Sequence, residues 1–126
     1  MKWFVLLLGL LATSLVGQAA SADSEGEAGR LVAVEVLTAD SDVYALRHGR
    51  IVVEESLGKE VRVYLLGGVS LCPNQDVSDA QIDMLARAAG NPKVVIKPFY
   101  KTGNGSSRCL VGFVLGGKKQ VAGITQ

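Results

Sequence analysis

Three groups of residues in this 126-residue chain carry side chains capable of chemistry. Asp40 and Asp42 lie two apart in Thr38-Ala39-Asp40-Ser41-Asp42, a turn by composition. Carboxylates so placed hold a cation or bond to the local backbone. Arg62 and Tyr64 alternate with Val61, Val63 and Leu65 in a run that leads through Gly67-Gly68 to Cys72-Pro73-Asn74. That period of two is the signature of a half-buried strand, with the valines and Leu65 on one face and Arg62 and Tyr64 on the other. The loop that follows is a usual place for a site. Lys101 and Arg108 flank Thr102 to Ser107, an exposed loop rich in Gly, Ser and Asn. A guanidinium there either grips phosphate or sits solvated on a strand. Phe99, Tyr100 and Tyr64 either stack bases or pack as core and strand-pair residues. His48, in His-Gly, reads as a turn-tip residue, and Asn104-Gly105-Ser106 has the form of a glycan acceptor.

The elements that must position these groups follow a leader. Met1-Lys2 is a short basic start, Trp3 to Val16 is almost wholly apolar, and Ala20-Ser21-Ala22 has the small-x-small form of a signal-peptidase site. Residues 1–22 are therefore expected to be a cleaved signal peptide, too short an apolar run to span a membrane comfortably. Cleavage leaves about 104 residues, one small domain. Export places Cys72 and Cys109, the only cysteines, in an oxidising compartment. A disulfide between them is preferred to free thiols or to half a zinc site, since zinc needs further ligands and His48 is the only histidine.

Residues 23–30 read as a disordered lead-in. Strands are expected at Leu31 to Leu37, at Val43 to Leu46 with Ile51 to Glu55 extending that arm, and from Glu60 to Leu65. Ser78-Asp79-Ala80-Gln81 is a capping box, followed by an apolar stripe at Ile82, Leu85, Ala86 and Ala89 and stopped by Gly90-Asn91-Pro92. Lys93 to Tyr100 and Arg108 to Leu115 complete five strands, with Pro98 implying a sheet edge or bulge. The domain spans 31–119, and 120–126 is a short tail without a capped helix. Three strands, one helix, two strands is the order of a mainly β, five-stranded OB-fold barrel (β-β-β-α-β-β).

In charge, the chain without its leader is balanced, 12 acids against 12 Lys and Arg, but every acid lies at or before Asp83. Arg87, Lys93, Lys97, Lys101, Arg108, Lys118 and Lys119 follow unopposed. Either the later half meets an anionic partner or the two halves neutralise each other within one barrel.

In order and spacing these segments resemble the thermonuclease-like (SNase-like) family, secreted calcium-dependent nucleases on an OB barrel. The family pattern is a D-G-D-T turn, V-R-V-R-L-x-G-x-D-x-P-E at the third strand, a capped helix, G-K-K-V-x-V-x, and a Y-G-R-x-L-x-x-V-x-x-x-G hairpin. The corresponding residues here are Asp40-Ser41-Asp42-Val43, Val61-Arg62-Val63-Tyr64-Leu65-Leu66-Gly67 through Cys72-Pro73-Asn74, Ser78 to Gly90, Asn91-Pro92-Lys93-Val94-Val95-Ile96, and Ser107-Arg108-Cys109-Leu110-Val111-Gly112 through Lys118.

The resemblance implies phosphodiester hydrolysis by a calcium ion held on two Asp, a Glu that activates water, and two Arg that stabilise the phosphorus-centred charge. Matched position by position, the turn Asp is Asp42 (with Asp40 beside it) and the hairpin Arg is Arg108. The strand Arg is replaced by Tyr64, the metal-binding Asp falls at Ser70 or Leu71, and the Glu is Asn74, which cannot accept a proton at neutral pH. Arg62 lies two residues from the vacated Arg position, roughly 7 Å along the strand.

The expectation is a secreted binding module with an impaired catalytic site, whose ligand is nucleic acid or another anion met by Arg62, Tyr64, Lys101 and Arg108. A weak calcium-dependent nuclease and a secreted protein-interaction module are the alternatives. No cofactor is expected, with calcium required only if activity survives, and no membrane association is expected after signal cleavage. A Cys72–Cys109 bridge would tie the site loop to the strand that begins with Arg108.

Overall fold

The computed structural model describes residues 22–122, so the expected signal peptide lies outside the described residues except for Ala22. The strands are β1 (Ser24–Glu25), β2 (Gly29–Val36), β3 (Gly49–Glu55), β4 (Val61–Leu65), β5 (Val95–Thr102) and β6 (Arg108–Gly116). Helix α1 (Asp79–Ala88) falls between β4 and β5, and a short α2 (Lys118–Ala122) follows β6. The order β5-β2-β3-β4-β6 closes on itself through the β5–β6 pairing, with β1 pairing along the same edge of β5 as β2. All pairs are antiparallel except β4–β6, which meet in parallel at Leu65 and Cys109. The protein is a closed, mainly β, five-stranded barrel with one capped helix inserted, in the strand order of an OB-like barrel.

The helix forms as its sequence requires. Ser78 accepts from Gln81 N at 3.2 Å and the Gln81 side chain accepts from Ser78 N at 2.9 Å, so two orphan donors are satisfied. Leu85 and Ala88 are buried and close one end of the barrel, while Gly90, at φ 78°, turns the chain and donates to Leu31 O. Leu31, Ile51, Val53, Tyr64, Leu66, Ile96 and Leu110 fill the interior with Leu85. Burying each such side chain stabilises the fold by about 1.5–3 kcal/mol before entropy is counted.

Four local expectations are corrected. First, Val43 to Leu46 is not a strand. Tyr44 N bonds to Ser41 O, and Leu46 N and Arg47 N both bond to Val43 O, so these residues form successive turns. The alternation there is too short to outweigh local turn bonds.

Second, residues 23–30 are ordered. Ser24 and Glu25 pair with Tyr100 and Phe99, Gly26 N donates to Pro98 O, and Gly29 already belongs to β2. The acids of this segment find cations on β5, with Glu25 2.8 Å from Lys97 and Asp23 3.7 Å from Lys101. Third, the tail after β6 contains α2, whose Val121 is buried.

The fourth correction bears on the site. Tyr64 and Arg62, expected on the outward face of β4, point into the barrel. They are the direct partners of Ile51 and Val53 on β3, and directly opposed residues share a face. Tyr64 is 1% exposed, whereas Val61 is 57% exposed. Val63 and Leu65 are covered from outside by Leu71 and the Cys72–Cys109 pair. The strand is thus covered on both faces along part of its length, and alternation alone does not say which face is the core.

Candidate functional site

The mouth of the barrel at the start of β6 is built by a cross-link and a bulge. Cys72 and Cys109 form a disulfide (S–S 1.97 Å, Cα–Cα 5.7 Å), buried at 1% and 0% exposure. It fixes the Cys72–Gln75 turn against the residue that follows Arg108. Asn104 completes the attachment from the neighbouring hairpin, its amide nitrogen donating to Ser70 O at 2.7 Å and its backbone N–H to Leu71 O at 2.9 Å. Across the β5–β6 pair Thr102 lies opposite Arg108; Tyr100 shares the inner face of β5 with Ile96 and Pro98 by alternation, and the register shift on β6 sets it opposite Leu110. Pro98 next to that bulge has no N–H to lose from the ladder, as its position in the sequence implies.

Arg108 lies over the Tyr100 ring, with its guanidinium carbon 6.0 Å from the ring centroid. Such a contact contributes about 0.5–1 kcal/mol at a partly exposed site and orients the fork. Tyr100 packs in turn on Tyr64 (centroids 5.6 Å apart, planes tilted 55°). Burial pushes the Tyr64 phenol above its ordinary pKa, and the nearby Arg108 charge opposes that shift. Among the described residues Arg30, Arg47, Arg50, Arg62 and Arg87 each have a carboxylate within 4 Å, and Arg108 has none. A cleft of about 230 Å³ lies beside Thr102, lined also by Ser24, Gln75 and Lys101. Gln75 Oε1 is the one buried side-chain polar atom without a partner among the described residues. A volume below the roughly 300–1,000 Å³ of pockets that engulf a small ligand suits a head group, not a whole molecule.

Of the residues singled out from sequence, the structure brings Tyr64, Tyr100 and Arg108 together and sets Lys101 at the adjoining cleft. Tyr64 is buried, so it shapes the mouth without presenting its face to solvent. Arg62 is engaged elsewhere, ion-paired with Glu60 and with Glu55, the latter at 3.5 Å. Asn74 is exposed at φ 69°, a left-handed position that asparagine tolerates well, in the turn that the disulfide anchors. Asp40 and Asp42 are exposed in the Thr38–Leu46 turns, where Ser41 Oγ accepts from Val43 N at 3.3 Å. Among the described residues no three His, Cys, Asp or Glu side chains converge in a way that could hold a metal ion. No described helix is long and apolar enough to cross a membrane.

Sequence reasoning missed Gln75 and Glu55. Glu55 is 8% exposed on the inner face of β3, and its only sequence signal is the shared parity with Ile51 and Val53. It also understated His48, whose ring stacks on Tyr44 (centroids 4.1 Å apart) with Nδ1 3.3 Å from Asp76. The basic later half is neutralised only in part within the barrel. Lys97 and Lys101 pair with acids of the first half, while Lys93, Arg108, Lys118 and Lys119 have no carboxylate within 4 Å among the described residues. Compared with family models, with curated proteins and with solved structures, the chain matches none.

Proposed function

We propose that the protein is an exported, non-catalytic binding module that takes the phosphate of a nucleic-acid strand, or of another phosphorylated ligand, at the mouth formed by Arg108, Tyr100 and the Gln75–Lys101 cleft. The observation that carries the reading is the unmatched guanidinium of Arg108, held over Tyr100 beside a cleft of head-group size. A planar fork with its charge uncompensated is suited to bidentate phosphate contact. Gln75 and Lys101 add polar lining to that cleft. Export is supported by the disulfide, because such bonds persist in oxidising compartments.

The resemblance to SNase-like nucleases supports an ancestry in phosphodiester chemistry, and the residues at the mouth support loss of that chemistry. Tyr64 is a buried phenol, Asn74 is no base, and Arg62 is held by Glu55 and Glu60. Losing one preorganised donor typically lowers a rate by about 10²–10³.

The test is anisotropy of a labelled single-stranded oligonucleotide over a range of salt. Affinity should fall as salt rises, and Arg108→Ala should weaken binding about tenfold and reduce the salt slope by about one. Salt-independent binding, or binding unchanged in Arg108→Ala, would overturn the assignment. Plasmid incubated with the protein should stay intact with and without calcium, and cleavage in either would refute the non-catalytic reading.

A further inference from the structure

A second groove, separate from the mouth, runs along the barrel beside α2 and has two unlike halves. One half is a cleft of about 450 Å³ whose apolar lining is Ala28, Leu57, Val95 and Val121. The other, about 560 Å³, is lined by Arg30, Lys59, Lys93 and Lys118 together with Glu54 and Glu55. Ser56, Val95 and Lys118 belong to both, so the halves adjoin. Each is within the size range of small-molecule sites.

The charges of the groove do not cancel. Glu25 pairs with Lys97 at 2.8 Å, Glu54 with Arg30 at 3.7 Å and Glu55 with Arg62 at 3.5 Å. Lys59, Lys93 and Lys118 have no carboxylate within 4 Å among the described residues, and the lining as a whole, Arg30, Lys59, Lys93, Lys97 and Lys118 against Glu25, Glu27, Glu54 and Glu55, carries a net charge of +1. Two further features mark the rim. Leu57 is 86% exposed in the β3–β4 turn. Lys59 in the same turn is held at φ 57°, donating its N–H to Glu55 O. A lysine in the left-handed region carries backbone strain, and turns that keep such strain cluster at ligand sites.

We propose that this groove binds a single-chain amphiphile with an anionic head group, of the fatty-acid or alkyl-phosphate type. The chain lies between Ala28, Leu57, Val95 and Val121, and the head group meets Lys93 and Lys118. An apolar floor continuous with a lysine cluster is complementary to that ligand class and to neither half of it alone. A bare anion leaves the apolar half wet, and a neutral alkane leaves three ammonium groups unmatched. The assignment does not depend on the phosphate reading of the barrel mouth.

Calorimetric titration with decyl phosphate, below the concentration at which it forms micelles, tests the proposal. Saturable binding is expected, with decanoate also binding, decanol and inorganic phosphate at least about tenfold weaker, and decyltrimethylammonium giving no saturable heat. The double variant Lys93→Ala/Lys118→Ala should lose about tenfold or more in affinity. Ala28→Phe should fill the apolar half and abolish binding, with the circular dichroism of the barrel retained. Should Ala28→Phe not fold, Leu57→Ser at the exposed turn serves instead and should weaken binding without altering stability. Decanoate, which carries no phosphate for the mouth to take, should also lose affinity in Lys93→Ala/Lys118→Ala, which separates this groove from the mouth. Absence of saturable binding would overturn the proposal. So would inorganic phosphate or decyltrimethylammonium binding as tightly as decyl phosphate, full affinity in the lysine double variant, or full affinity in a folded cleft-filling variant.

Discussion

Breaking the Cys72–Cys109 bridge is the perturbation whose size follows most directly from the structure. The bond spans a sequence separation of 37. On the chain-entropy model, opening a loop of that length destabilises the native state by about 4 kcal/mol at 25 °C. A domain of this size has a total stability of about 5–15 kcal/mol, so the loss is a large fraction of the whole. For roughly 100 residues, each kcal/mol lowers the melting temperature by about 4–8 °C, which predicts a fall of about 15–30 °C. Reduction of the native protein isolates the cross-link, because both sulfurs stay in place among Leu65, Leu71 and Val63. Cys72→Ala/Cys109→Ala adds the cost of the space vacated by two buried sulfurs, so it should be less stable than the reduced protein. Urea unfolding of the oxidised, reduced and double-Ala forms separates the two effects. Because the bridge also anchors the Cys72–Gln75 turn beside Arg108, oligonucleotide affinity should fall on reduction at temperatures where the barrel is still folded. A loss below about 1 kcal/mol on reduction would refute the view that this barrel depends on its covalent cross-link.

Two smaller perturbations check other parts of the account. Ser78→Ala removes the acceptor for Gln81 N and should cost about 1 kcal/mol in urea unfolding, with Ser78→Thr close to wild type. Glu35, hydrogen-bonded to Arg47 at 2.7 Å and close to Arg50, has its pKa lowered chiefly by the Arg47 bond. A depressed carboxyl binds fewer protons folded than unfolded. Its stabilisation is therefore full above the ordinary carboxylate pKa and disappears as pH falls through the lower folded value. Glu35→Gln should cost about 1–2 kcal/mol at neutral pH and flatten that acid limb, and a limb that keeps its wild-type slope would show that the pair does not matter.

How much could be read from the sequence depended on whether a signal was local. The capping box at Ser78 and Gln81, the stop at Gly90 and the strands at Ile51–Glu55 and Arg108–Leu115 were legible because their causes lie within a few residues. The pairing of two lone cysteines was legible as well, since it needed only an oxidising compartment and the absence of other partners. Val43–Leu46 misled because four residues do not separate a strand from consecutive turns. The lead-in misled because acidity reads as disorder until Lys97 and Lys101 stand opposite it, and both lie more than 70 residues away in the chain. Gln75 left no local trace and Glu55 only its parity with Ile51 and Val53, because an orphaned amide oxygen and a buried carboxylate are defined by what surrounds them.

The reversed faces of β4 are the most consequential of these differences for function. If Tyr64 and Arg62 had faced solvent, they would have formed a polar strip along the outside of β4. In the folded barrel the β3 partners Ile51 and Val53 dictate the inward face, and Tyr64 follows them into the core. An arginine at position 64 would therefore place its stem in the barrel and its guanidinium towards the mouth beside Arg108, where a second charge is costly without an anion. Tyrosine occupies the same channel as a neutral group and packs on Tyr100, and Tyr100 in turn carries Arg108 on its ring. Tyr64 thus adds no charge to the mouth and supports the ring that carries Arg108.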